Sequence, residues 1–144
     1  MAPERPARDH AAQIDPRADA LARLFEEVHE GVYVGLVSAT GSRTLAANPH
    51  LKLILGFATE TPETDVRPFD PSRFDDPQAR ESFRERLIAD GAVTEYLLRL
   101  RRADGSPCWV ELTAHAEPWG GDGTLRVDAL MRDVSERKKM DDQS

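Results

Sequence analysis

Cysteine is almost absent from this 144-residue chain: Cys108 stands alone, which excludes an intramolecular disulfide and a cysteine-based metal cluster. Aromatic residues are sparse, at 6%. No apolar run approaches the ~20 residues that span a bilayer. The opening stretch, MAPERPARDHAAQ, lacks the apolar segment of a secretory signal. A cytoplasmic chain without a membrane partner is the expectation. Positive charge is also scarce, with 19 Lys plus Arg against 26 Asp plus Glu and a formal net charge of -7. Such a surface repels phosphate backbones, and the short run Arg137-Lys138-Lys139 reads as a solvated helix face, so nucleic acid is not expected as a partner.

What is present is enough for one domain with a core: 40% hydrophobic and 31% charged residues describe a globular chain. Residues 1–14 have no periodicity and read as a mobile leader. Asp15-Pro16 is a helix start, a capping residue followed by proline in the first turn. Leu21, Leu24, Phe25 and Val28 then fall on one face, and Gly31 is the expected stop, giving an N-terminal flanking helix over 15–31. Residues 32–37 and 43–47 read as short strands. Asn48-Pro49 opens a brief helix that Gly56 ends. The stretch 58–77 is irregular, and Asp76-Pro77 starts another helix with Phe83, Leu87 and Ile88 on one side.

From residue 93 the period changes to two. Runs 93–102, 107–118 and 124–133 alternate apolar and polar, separated by glycine-containing turns, which makes an antiparallel meander. The fold expected is α+β, a five-stranded antiparallel sheet with short helices on one face. Alternation puts Tyr96, Leu98, Leu100, Val110, Leu112, Val127 and Ala129 on the inner side, and Trp109 on the outer side with Arg99, Glu111 and Arg126.

Catalytic residues are not expected. The acidic pairs Glu26-Glu27 and Asp75-Asp76 diverge on successive positions, and neither a nucleophile elbow nor a phosphate-binding loop occurs. The four histidines include no pair at the spacing of a helical metal site, so no metal is expected.

Four segments together resemble the PAS family with its C-terminal PAC portion, over about residues 20–139. They are NPHLKLILGF from Asn48, FDDPQARESFRERLIADG over 74–91, RLRRADGSPCWVEL over 99–112, and RDVSERK over 132–138. The resemblance implies a PAS core over 32–133, followed by the start of a signalling helix or tail over 134–144. It implies a module that binds a small ligand or non-covalent cofactor on the inner sheet face, at the residues from Tyr96 to Ala129 named above. The signal would pass through the terminal helices to an output domain such as a histidine kinase. The alternative is a ligand-free dimerisation or protein-interaction module.

Residues 49–91 lack the reactive cysteine of flavin-photoadduct relatives, and 77–90 lack the histidine of haem-binding relatives. Non-covalent flavin or a small metabolite stays open. Asp133, Ser135 and Glu136 match the family's exit motif, where Asp with Glu three residues on forms a capping-box-like pair. Leu21, Leu24, Phe25, Val28 and Trp109 are the expected homodimer contacts.

Overall fold

The computed structural model describes residues 15–143, so the expected leader over 1–14 lies outside the described residues. The first helix, α1, spans Pro16–Glu27, and Asp15 caps it by accepting the Arg17 N–H at 3.1 Å. It ends earlier than the glycine rule suggests. Val28 is already extended, and Gly31 instead opens strand β1 (Gly31–Val37). Glycine is needed at 31 for proximity: a Cβ there would meet Leu51 Cδ1 at 2.9 Å.

Strand β2 (Ser42–Ala47) returns along β1 and leads into α2 (Pro49–Leu55), which Asn48 caps through a 3.0 Å bond from the Leu51 N–H. The Asn48 amide is fully buried and fully used. Its oxygen also accepts the Val32 N–H, and its nitrogen donates to the Phe25 and Glu30 carbonyls. One side chain thus ties the end of α1 to β1 and α2, and its satisfied bonds are why a buried amide is tolerated.

The irregular stretch contains two 3-10 turns, Glu63–Asp65 and Pro71–Arg73. Between and after them Val66, Phe69 and Phe74 drop into the core. Glu63 also occupies one outward group at the end of the β2 edge, accepting the Ala47 N–H at 2.8 Å. Helix α3 (Pro77–Asp90) follows, capped by Asp76 and stopped by Gly91 at φ 74°. Phe83 and Leu87 face inward together as expected, joined by Arg80 and Arg84, whereas Ile88 is 55% exposed.

Strands β3 (Ala92–Arg101), β4 (Pro107–Pro118) and β5 (Leu125–Asp133) complete one five-stranded antiparallel sheet of order β2-β1-β5-β4-β3. The alternation of the last three strands holds, so Leu98, Leu100, Val110, Leu112, Val127, Ala129 and Met131 are buried on the inner face. The chain leaves β5 into α4 (Ser135–Gln143). Among the described residues no helix is long and apolar enough to cross a membrane.

Inside β1, Tyr33 shows how tightly the sheet is filled. It is fully buried, and its ring lies along its own strand under Gly35, where an added Cβ would come within 2.1 Å of the hydroxyl. Burial pushes the hydroxyl pKa up to about 12, only partly offset by Thr44 and the Arg80 charge, so Tyr33 stays neutral and packs as a large core residue.

Candidate functional site

The most heavily bonded polar site lies where β5 hands over to α4. Asp133 ends the strand, and its carboxylate accepts the Ser135 N–H at 2.8 Å. The Ser135 hydroxyl accepts the Trp109 N–H at 3.1 Å and lies 3.9 Å from the Cys108 sulfur. The Val134 N–H bonds to the Trp109 carbonyl, and the Val134 side chain is buried. Burial acts to raise the Asp133 pKa. The Ser135 bonds and the Arg102 guanidinium at 3.3 Å outweigh it and hold the carboxyl below its usual range.

Arg102 is the hub that the motif reading missed. Besides Asp133 it donates to the Ile54 carbonyl at the end of α2 and to the Pro107 carbonyl of the hairpin. The Ala103 N–H to Leu55 carbonyl bond reinforces the same junction. One guanidinium therefore links α2, the β3–β4 turn and the exit. The available signal was only an Arg just before Asp-Gly-Ser, and nothing in spacing says where a long side chain reaches. Glu136, by contrast, is exposed and makes no hydrogen bond to Asp133, so the expected reciprocal capping pair is not formed.

Helix α4 then lies against the outer sheet face. Arg137 bonds Glu111 at 2.8 Å, Arg132 pairs with the same carboxylate, and the Lys138 ammonium sits 5.1 Å from the Trp109 ring centroid. Trp109 is half-buried on the outer face, with Lys138 of the exit helix beside it. The first helix is more open: Leu21 and Leu24 are 59% and 61% exposed, Val28 is exposed and Phe25 half-buried.

The space between sheet and helices is occupied by a row of aromatic rings. Tyr33 meets Phe69 edge-on at 5.0 Å, Phe69 meets Phe83 at 5.2 Å, and Phe83 meets Tyr96 at 5.4 Å. Such contacts add to area burial. Of the inner-face candidates, Leu98, Leu100, Val110, Leu112, Val127 and Ala129 are packed in the core, and Tyr96 closes the row from its partly buried position. Tyr96 and Leu98 also line a cleft of about 420 Å³ that opens between α3 and β3, with Asp75, Asp76, Ala79 and Trp109 among its other walls.

The positions of the reactive side chains fit neither a covalent flavin nor a histidine-ligated haem. Cys108 sits in the sheet with its sulfur toward the Ile54 carbonyl, and burial pushes its thiol up to about 11, the opposite of a reactive thiolate. His29 and His50 stack on each other at 5.8 Å outside the core, and His115 is exposed. Among the described residues no group of three or more His, Cys, Asp or Glu is placed to hold a metal ion.

No protein-family model and no curated protein matches the chain. Solved structures do. A PAS domain from Colwellia psychrerythraea is 16% identical, with a TM-score of 0.63 over 83% of this chain and 98% of its own. A domain of a sensory box sensor histidine kinase/response regulator from Geobacter sulfurreducens is 21% identical, with a TM-score of 0.56 over 81% and 94%. An RNA-binding light-oxygen-voltage receptor is 28% identical, with a TM-score of 0.64 over 89% of this chain and 37% of its own. The fold is that of a PAS domain.

Proposed function

We propose that this PAS-fold domain is a signalling module whose output element is the β5–α4 joint, working on an output domain such as a histidine kinase. The observation that carries the reading is the convergence of Asp133, Ser135 and Arg102 on one point, because a shift of α2 or of the β3–β4 hairpin changes the bonds that orient α4. Its role is regulatory, and catalysis belongs to the partner it controls.

Asp133→Ala is expected to free α4 and uncouple input from output. It removes the acceptor of the Ser135 N–H and the partner of Arg102, at a cost of about 1 kcal/mol of local helix stability. Amide exchange should accelerate across 135–143 and stay unchanged in β1 and β3. Equal acceleration throughout the sheet would make Asp133 a structural residue and sink the reading. The same loosening should appear in the wild type on acidification. The folded pKa of Asp133 is lowered, so its contribution is complete above the ordinary aspartate range and disappears as pH falls through the depressed value.

For the input, the aromatic row favours the ligand-free interaction reading over a small-molecule sensor, since rings occupy the space where a ligand would lie. The partner in that reading is a second copy, joined through the exposed Leu21, Leu24 and Val28 face with Phe25 beneath it. Native mass spectrometry of the purified protein decides both points. A dimer mass without retained small molecule is expected. A monomer at all concentrations would remove the dimer, and a co-purified metabolite or flavin would restore the sensor with a bound ligand.

A further inference from the structure

We infer that the seat of α4 on the outer sheet face is an electrostatic latch closed by Glu111, so that ionic strength sets the fraction of molecules in which the outgoing helix is docked. This regulation rests on the reading of α4 as the output element. Two kinds of contact hold the helix. At its root the ties to β4 are neutral: the Val134 side chain is buried, its N–H bonds the Trp109 carbonyl, and the Ser135 hydroxyl accepts the Trp109 N–H. Just beyond the root they are ionic. Arg137 bonds the Glu111 carboxylate at 2.8 Å, and the Lys138 ammonium stands over the Trp109 ring. None of residues 135–142 is buried, so little apolar area past Val134 holds the helix down.

The partners are arranged so that opening strands no charge. Glu111 stands opposite Arg132 across the β4–β5 ladder and pairs with it as well as with Arg137. When Arg137 leaves, the carboxylate keeps Arg132. Lys138 likewise keeps Asp142, one turn along its own helix. The penalty that makes a broken buried pair costly is therefore absent, and the docked and free positions differ by little.

Exposure decides which pair salt reaches first. The Arg137 side chain is 59% exposed, whereas Arg102, which holds Asp133 at the root, is 27% exposed and also bonded to carbonyls. Screening length falls from about 30 Å at 0.01 M salt to about 3 Å at 1 M, so rising salt opens the outer pair and leaves the root in place. Glu111, with a side chain only 13% exposed, is the stationary half of the latch, and Arg132 and Arg137 compete for it. Removing Arg132 leaves the carboxylate to Arg137 alone and seats the helix more firmly, whereas removing Glu111 frees it. A glutamate that merely braced the sheet would respond to both losses in the same direction.

The test is quenching of Trp109 fluorescence by acrylamide, an uncharged quencher, in the full chain carrying Trp119→Phe, which leaves Trp109 as the one tryptophan. Between low and high NaCl the quenching constant is expected to rise about twofold to threefold, the size that one or two exposed charge contacts allow. Sucrose at matched osmolality should leave it unchanged. Glu111→Gln should show the high-salt value already at low salt. Arg137→Gln should do the same, and because it lies on an exposed helix it decides the matter if the Glu111 variant fails to fold. Arg132→Gln should instead hold the low-salt value to higher salt. Quenching that ignores salt, an equal rise with sucrose, or Arg132→Gln behaving like Glu111→Gln overturns the latch. Faster amide exchange across 135–143 in Asp133→Ala beside salt-independent quenching would reject the latch alone, and no change in either would reject both the latch and the joint.

Discussion

Arg80→Ala should lower the unfolding free energy by about 3–5 kcal/mol, the scale of loss when a buried charged group that satisfies several partners is deleted. Arg80 is 5% exposed, and its guanidinium is enclosed by backbone carbonyls rather than by a carboxylate. Nε donates to Phe69 at 2.7 Å, Nη1 to Ala39 at 2.9 Å, and Nη2 to Ser38 and Gly41 at 2.9 and 3.0 Å. Those carbonyls belong to the β1–β2 turn and to the irregular segment, neither of which has a ladder to fall back on. Deleting the side chain leaves the Phe69, Ala39 and Ser38 carbonyls without this donor, each at about 1–3 kcal/mol if water does not enter, while the Gly41 carbonyl keeps the Ser38 N–H and hydroxyl. Urea unfolding followed by tryptophan fluorescence measures the loss. Arg80→Lys should recover only a part, because a single ammonium cannot span the planar fork of acceptors. A loss below about 1 kcal/mol for the alanine variant would mean that water replaces the guanidinium, and that the cage is incidental.

Phe69→Ala should cost about as much, 3–5 kcal/mol by the measured range for buried Phe to Ala changes. Phe69 is fully buried and is the ring in contact with both Tyr33 and Phe83, so its loss breaks the aromatic row at its middle. Arg80 bonds the backbone carbonyl of residue 69, which alanine keeps, so any shortfall of the double variant from the sum of the singles measures coupling through the position of that backbone segment. The cavity left behind also bears on function. If the row is what excludes ligands from the inner face, Phe69→Ala protein should be stabilised by benzene or indole, as apolar cavities of comparable size are. Wild-type protein should show no such shift. Equal stabilisation of both by benzene would locate its binding elsewhere.

The parts of this fold that were legible beforehand are those governed by local rules. Asp15, Asn48 and Asp76, each followed by proline, all cap helices in the structure. Period-two alternation assigned both faces of β3, β4 and β5, because a strand has only two sides. The errors came from elsewhere. Apolar spacing groups Ile88 with Phe83 and Leu87, whereas α3 buries Arg80 and Arg84 beside those two and turns Ile88 out. Gly31 was read as a helix stop because a glycine that permits close packing looks the same in sequence as one that permits a left-handed turn. Val66, Phe69 and Phe74 had no period to announce them, being held by turns. The exit motif was legible at Asp133 and Ser135, but its partner Arg102 was not. A hydrogen bond across 31 positions leaves no spacing to read.

The two arginines of α3 have a consequence beyond their own burial. Arg80 holds the β1–β2 turn, and Arg84, bonded to Glu81, reaches the Gly123 carbonyl in the β4–β5 turn. Val37 pairs with Leu125, so both turns lie at one end of the sheet, while Asp133 and the exit lie at the far end of β5, about 30 Å of strand away. One helix thus holds both turns at that end of the sheet. If α4 is the output element proposed above, twist in the sheet has little freedom to relax among the held turns and would be taken up by the exit bonds of Asp133, Ser135 and Arg102.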